Sequence, residues 1–308
     1  MRRQFAKILC ERAQRDPTLV LLVGDIGYGV FEEFSSSFPD RYFNVGIAEQ
    51  NSIGLMSGLS KEGYFPVFFT IIPFLLYRPF EFIRNDLLIN ERSGLLVGVG
   101  AGLSYGALGP THHAVEDLAV CSALPGLFVY SPSTVKSMQV SSNFILEQKR
   151  GLSYLRLGKR EEFDSMMDSY NVLNLVRSTH HADSVSNSKV LIISYGDTAV
   201  GAIHSLSDYV KSGVVCMVSL ERIQPLPENE LLAYANTASC ILIVEEQLNG
   251  SGIYRLICEL LFRNKLDKKL VLVNLKQDYV KKVGSSVELQ AEMSLSGTNL
   301  RELVEGLI

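Results

Sequence analysis

The octapeptide Asn-Val-Gly-Ile-Ala-Glu-Gln-Asn at 44–51 sets one carboxylate, Glu49, between a glycine turn and an amphipathic run. Ile53, Leu55, Met56 and Leu59 follow it close to helical spacing. Glu49 therefore falls in a first helical turn, where an acidic side chain is electrostatically favoured. Alone, it reads equally well as an ordinary helix-opening glutamate or as an acid at the edge of a site. A second segment, 100–113, runs Gly-Ala-Gly-Leu-Ser-Tyr-Gly-Ala-Leu-Gly-Pro-Thr-His-His. Its glycines permit positive φ and close approach of backbone to a ligand. It ends on His112 and His113, where a helix is expected over 113–124. A helix N-terminus disfavours imidazolium, and a neutral imidazole can donate to an oxygen or accept a proton. The plainer alternative is a histidine that satisfies loop backbone groups. Two adjacent histidines without carboxylate or thiol partners at ligand spacing are a poor metal signal.

Three further groups could contribute. Phe74, Tyr77, Phe80 and Phe82 form an aromatic stretch that is either core or a stacking wall for a flat ring; the pattern alone favours core. Asp25, in Gly24-Asp25-Ile26-Gly27, is a turn residue or a rim ligand. That segment lacks the spacing and the lysine of a phosphate-cradling loop. Arg156, Lys159 and Arg222 could bind an anion, against a default of solvated surface charge.

The elements that must position these residues are legible from apolar runs. Residues 19–23, 67–72, 95–99 and 127–130 are continuous apolar runs, the mark of strands covered on both faces. Residues 42–45 and 153–157 add shorter strands. Helical lengths lie between them, over 73–89, with Pro79 as a kink or restart, and over 133–149, with Ser133 as the expected N-cap. The alternation predicts a doubly wound parallel sheet with helices on both faces, whose ligands bind outside the carboxyl ends of the strands. That rule gathers 24–29, Glu49, 71–77 and 100–113 on one rim. Residues 159–188 are polar and mixed. Beyond them, strands are expected at 190–194, 214–218, 241–244 and 270–273, and helices at 198–210 and 251–261. The expected division is a first α/β domain over 1–165, a linker over 166–188, and a smaller second α/β domain over 189–308.

Composition narrows the class. The chain has 308 residues, 47% apolar and 20% charged, with net charge -4, which suits two globular domains and argues against nucleic acid as a partner. No apolar run approaches the ~18 residues of a membrane span. The first residues carry charge but no long apolar stretch, so no secretory signal is expected. Five scattered cysteines read as free thiols in a reducing cytoplasm.

Taken together, Asn44–Asn51, Gly109-Pro110-Thr111-His112-His113, and Arg78 with Phe80-Glu81-Phe82-Ile83-Arg84-Asn85 resemble the C-terminal half of transketolase, and most of all the separate small subunits of split transketolases. Residues 222–227 and 244–252 resemble that family's last domain. The resemblance implies a pyrimidine-binding domain followed by a transketolase C-terminal-like domain, and thiamine diphosphate as cofactor. Glu49 would hydrogen-bond a nitrogen of the aminopyrimidine ring. Phe74 and Tyr77 would pack on that ring, Asp25 would lie on the cofactor side, and Ile26 would hold the cofactor bent. His112, with His113 beside it, would contact substrate oxygens, and Arg156, Lys159 and Arg222 would bind the substrate's anionic end. For this role Glu49 must lie on the rim beside the histidine loop and be free of an internal ion pair.

The departures from the family also carry meaning. Ile71 stands where a second phenylalanine is usual, and Ala107 and Leu108 replace acids before Gly-Pro-Thr-His. Gly100 replaces a phosphate-binding histidine, which suggests an acceptor sugar without the usual terminal phosphate. The family's Gly-Asp-Gly…Asn motif for Mg²⁺ is missing, since Gly24-Asp25-Ile26 and Gly196-Asp197-Thr198 have no convincing Asn partner. No metal site is therefore expected here. A large subunit would supply Mg²⁺ and the diphosphate side, in a heterotetramer acting on sugar substrates. The nearest rival is the beta subunit of a 2-oxo acid dehydrogenase decarboxylase component. A rival from another class is a non-catalytic scaffold paralogue.

Overall fold

The computed structural model describes residues 1–159, 188–248, 250–276 and 278–308, and the backbone of 172–174. Strands β1 (Leu19–Val23), β2 (Tyr42–Asn44), β3 (Phe65–Ile71), β4 (Gly94–Val99), β5 (Phe128–Tyr130) and β6 (Leu152–Leu157) form a parallel sheet. All residues of β1, β4 and β6 are buried, as continuous apolar runs require when helices cover both faces. On one face pack Arg2–Ala13 and Val135–Gln148 through Phe5, Leu9, Met138 and Ile145. On the other lie Glu49–Lys61, Ile72–Leu76 and Asp117–Ser122, through Ile53, Met56, Leu75 and Leu118. The second core continues without a break into the other half of the chain, reaching Ile193, Tyr195 and Ile241.

That half is a second parallel sheet, built from β7 (Val172–Asn174), β8 (Val190–Ser194), β9 (Val215–Ser219), β11 (Cys240–Leu248) and β12 (Lys269–Leu275), in the order β12-β11-β8-β9-β7. Strand β7 falls in the segment expected to be a linker; 160–171 and 175–187 lie outside the described residues. The short strand β10 (Arg222–Gln224) leaves its own half to close the first sheet, antiparallel to β5. The first sheet thus runs β10-β5-β6-β4-β3-β1-β2. Gln224 secures this edge by donating from Nε2 to the carbonyls of Leu124 (3.2 Å) and Leu127 (3.0 Å).

Three local expectations are corrected. The helix expected over 113–124 is only Asp117–Ser122. Ala114 is held extended by a two-way bridge with Gly102, at 2.9 and 3.2 Å, so the groups that would start an earlier helix are already engaged. The N-cap of Val135–Gln148 is Thr134, whose hydroxyl accepts from the Ser137 N–H in a capping box. Ser133 instead donates to Glu221. The run 73–89 breaks at Arg78-Pro79 into Ile72–Leu76, Phe80–Phe82 and a wider-wound turn over Ile83–Ile89, because proline has no N–H to continue the first helix. No described helix is long and apolar enough to cross a membrane.

Glu221 marks the join between the halves. It is fully buried, and its carboxylate accepts from Ser133 N (3.2 Å), Ser133 Oγ (2.7 Å) and Ser219 Oγ (3.1 Å). Burial pushes its pKa from 4.5 up to about 7, against the opposing pull of the serine hydrogen bonds. Below about pH 4.5 the group is protonated folded and unfolded alike. Above that, up to about pH 7, only the folded chain keeps the proton, so this group's contribution to stability falls as pH rises through the window. Denaturant unfolding of Glu221→Gln between pH 5 and 8 should show that fall flattened, by on the order of 1–3 kcal/mol. An unaltered pH profile would contradict this account.

Candidate active site

Glu49 opens the helix that follows β2, on the carboxyl edge of the first sheet. A hydrogen-bonded corner fixes its approach. Asn44, the last residue of β2, accepts at Oδ1 from the backbone N–H groups of Asp25 (3.2 Å) and Gly46 (3.0 Å), and donates from Nδ2 to Asp25 Oδ1 (3.2 Å). Asp25 holds φ +51°, a left-handed conformation that aspartate tolerates better than most residues. Tyr28 and Asn44 both donate to its carboxylate and hold its pKa below the usual range. Gly46 takes φ +69°, the turn that sends the chain from β2 into the helix. Ile26 is half-buried against the core beneath this loop.

The Glu49 side chain is only 5% exposed. It is not free. Arg78 Nη1 donates to both carboxylate oxygens, at 3.0 and 3.1 Å. The same guanidinium lies over the Phe74 ring, 4.0 Å from its centroid, and Phe74 meets His112 edge-on at 5.3 Å. Glu49, Arg78, Phe74 and His112 therefore form one connected group on the rim. The expectation of an unpaired acid is corrected: a buried carboxylate needs a partner, and Arg78 provides it. The pair is not internal on both sides, however, because the Arg78 side chain is 43% exposed. In the sequence Arg78 stands out only as part of a motif. Its spacing of four from Phe74 is the available signal, since residues four apart share a helical face.

The remaining aromatic expectations divide. Tyr77 is half-buried and donates its hydroxyl to Glu116 Oε2 (3.1 Å); burial raises the pKa of both groups. Phe80 packs partly on the core and Phe82 is 37% exposed. His112 is half-buried, with Nδ1 3.0 Å from the Thr111 hydroxyl. His113 is buried, and desolvation lowers its pKa. Burial, not a helix terminus, thus keeps His113 neutral, and its ring lies in the interior.

The anion-binding expectations are mostly corrected. Arg156 is 2% exposed and committed to the interior. Its Nε donates to Asp117 Oδ2 (2.7 Å), and its Nη2 donates to Asp117 Oδ1 (3.3 Å) and the Ala114 carbonyl (3.1 Å). Tyr154 and Gln247 also donate to Asp117. Arg222 lies on β10, six strand positions from β2, roughly 29 Å at the usual strand spacing. There it lines a cavity of about 210 Å³ with Tyr130, Phe144 and Arg150. Lys159 is exposed at the end of β6, its N–H bonded to Asp197 Oδ2 (3.0 Å). Gly100 also has a physical reason. It takes φ +87°, and a side chain there would overlap the Tyr105 ring, so tyrosine fills the space.

The second half shapes the histidine loop. Glu246 Oε2 accepts from Leu103 N (2.9 Å), and Asp197 Oδ2 from Ser104 Oγ (3.2 Å). Any side chain at Gly102 would overlap Glu246, and any at Gly158 would overlap Asp197. Both glycines are where carboxylates of one half meet backbone of the other. Among the described residues no cluster of three or more His, Cys, Asp or Glu side chains could hold a metal ion.

Residues 1–162 match the family described as "Transketolase, pyrimidine binding domain". The chain is 24% identical over 280 residues to one of the subunits of apulose-4-phosphate transketolase from Phocaeicola vulgatus, covering 88% of this chain and 86% of that one. It is 25% identical over 281 residues to 1-deoxy-D-xylulose-5-phosphate synthase of Clostridium acetobutylicum, covering 90% of this chain and 44% of that one. Among solved structures, one described as "Split gene transketolase, inactive beta4 tetramer" superposes with a TM-score of 0.77 at 23% identity, covering 99% of this chain and 96% of that one.

The interior role of Arg156 is open to test. Asp117→Ala leaves a buried guanidinium unpaired and should destabilise the chain by about 3–5 kcal/mol in denaturant unfolding. Unchanged stability would return Arg156 to the candidates for substrate binding.

Proposed function

The chain belongs to the transketolase family, with the pyrimidine-binding domain of that family at residues 1–162, and from this premise we propose that it is the small subunit of a two-chain, thiamine-diphosphate-dependent transketolase. The reaction is transfer of a two-carbon ketol unit from a ketose to an aldose. A large subunit carries the diphosphate and Mg²⁺ side, in a heterotetramer of two copies of each chain. A relative of nearly this chain's length is named as one subunit of a transketolase, which supports a two-chain assembly. Five free thiols support a reducing, cytoplasmic setting.

The observation that carries the reading is the buried carboxylate of Glu49 beside Phe74, whose face is covered by a flat, stacked, N–H-donating group in Arg78. An aminopyrimidine offers the same flat face, and a ring nitrogen that shares a proton with the carboxylate supplies the matching N–H···O contact, so the site fits it. Thiamine diphosphate, when bound, supplies an electron sink for the carbanion of the ketol unit. Glu49 would hold a hydrogen bond to a ring nitrogen, strengthened by the low local dielectric. Phe74 would stack on the ring and Ile26 supply an apolar contact. Tyr77, fixed by Glu116, would close the wall, and Asp25 stays ionised at the mouth. His112 would meet substrate oxygens, held there by the loop that Glu246 and Asp197 brace.

With Arg156 committed to Asp117 and tyrosine filling the space at Gly100, two of the family's anion-binding groups are lost to the site. This favours an acceptor without a terminal phosphate. The reconstituted two-chain enzyme should discriminate between phosphorylated and unphosphorylated acceptors by less than about tenfold in kcat/KM, less than one charge-assisted hydrogen bond supplies. Strict dependence on phosphate would contradict the substrate assignment.

The decisive variant is Glu49→Gln. It keeps the volume and removes the charge, and it leaves Arg78 where water can solvate it. Turnover by the reconstituted complex should fall at least about 10²-fold, with stability changed by no more than about 1 kcal/mol. Undiminished turnover would favour a scaffold role.

A further inference from the structure

We propose that Arg78 is an internal competitor for the pyrimidine side of the pocket and so sets the affinity of that site. The inference rests on the reading of the site given above and names a residue that governs it.

The geometry is exclusive. The guanidinium lies 4.0 Å from the Phe74 centroid and bonds both oxygens of Glu49. A flat ring stacked on Phe74 with a nitrogen against Glu49 needs that same layer, so the two cannot be seated together. The chemistry is equivalent. Guanidinium is planar, delocalised, weakly hydrated for a cation and able to stack on aromatic faces. It therefore offers Phe74 a flat face and Glu49 an N–H, as an aminopyrimidine does when a ring nitrogen shares a proton with the carboxylate.

The competitor can also leave. Arg78 sits in the break between Ile72–Leu76 and Phe80–Phe82, beside Pro79, so no continuous helix fixes its backbone. Its side chain is 43% exposed, against 5% for Glu49. Displacement returns the guanidinium to water while the carboxylate exchanges the guanidinium N–H for a proton shared with the ring nitrogen. Glu49 has a partner in both end states; the displaced, ring-free state leaves it without one and is therefore the minor state. Only molecules with Arg78 displaced can receive the ring, so apparent affinity falls in proportion to that fraction.

The test uses the full chain and 4-amino-5-hydroxymethyl-2-methylpyrimidine, the pyrimidine half of the cofactor, titrated by ligand-observed NMR. Arg78→Met keeps much of the aliphatic stem and removes the flat cation. It should tighten binding about tenfold, with Arg78→Lys in between. Adding Glu49→Gln to Arg78→Met should abolish the gain. Equal or weaker binding by Arg78→Met, still dependent on Glu49, overturns the competitor role and leaves the pocket assignment standing. Absence of binding by every variant overturns the pocket assignment itself.

Discussion

A carboxylate withdrawn from water must be given a donor, and at the rim of the first sheet that requirement falls on Glu49. An isolated buried charge is too costly to persist, so the surroundings of Glu49 are organised around supplying it with a partner. Asn44 and Gly46 turn the chain so that the acid arrives at the base of the aromatic wall. Phe74 provides a face against which the donor lies flat, and Arg78 reaches in from the solvent side. The result is a site whose interior half is fixed and whose exterior half is exchangeable. That asymmetry separates it from the Arg156–Asp117 pair. There both partners are buried, with side chains 2% and 0% exposed, and the pair serves the fold.

The second half of the chain acts on the site from below. Glu246 and Asp197 reach across the join to hold backbone and a hydroxyl of the loop carrying His112. Gln247 completes the partners of Asp117. Segment 280–289 packs under the same loop, with Gly284 N donating to the Gly106 carbonyl (3.3 Å) and Leu289 in the core beneath it. A glycine-rich loop left to itself would sample many conformations; here carboxylates of the other half of the chain select one. The two halves are thus joined mechanically, and the shape of the histidine loop depends on the other half of the chain.

The sheets are legible because buried parallel strands must be continuous apolar runs, and residues 19–23 and 190–194 coincide with the strands formed. The rim follows from the parallel topology. Less can be read where a residue's fate depends on a distant partner. Nothing local to Arg156 distinguishes a substrate ligand from an interior cation; Asp117, nearly forty positions away, decides it. Strand β10 is hidden because three residues carry almost no pattern, and its pairing with β5 depends on how the halves dock. The helix after His113 starts later than its pattern suggests because Ala114 is held by Gly102, a contact no periodicity records. Glu49 and Arg78 lie twenty-nine positions apart, in two segments each conspicuous for its own motif and not for the charge it offers the other.

The central claim is that Glu49 is the acid that receives the pyrimidine ring in a pocket completed by another chain. A crystal structure of the two-chain complex with thiamine diphosphate and Mg²⁺ measures this directly. The account predicts a Glu49 oxygen within hydrogen-bonding distance of a pyrimidine nitrogen, about 2.6–3.2 Å, with the ring on Phe74. It also predicts the metal on residues of the large subunit. A cofactor seated elsewhere, with Glu49 and Arg78 still paired over Phe74, would contradict it.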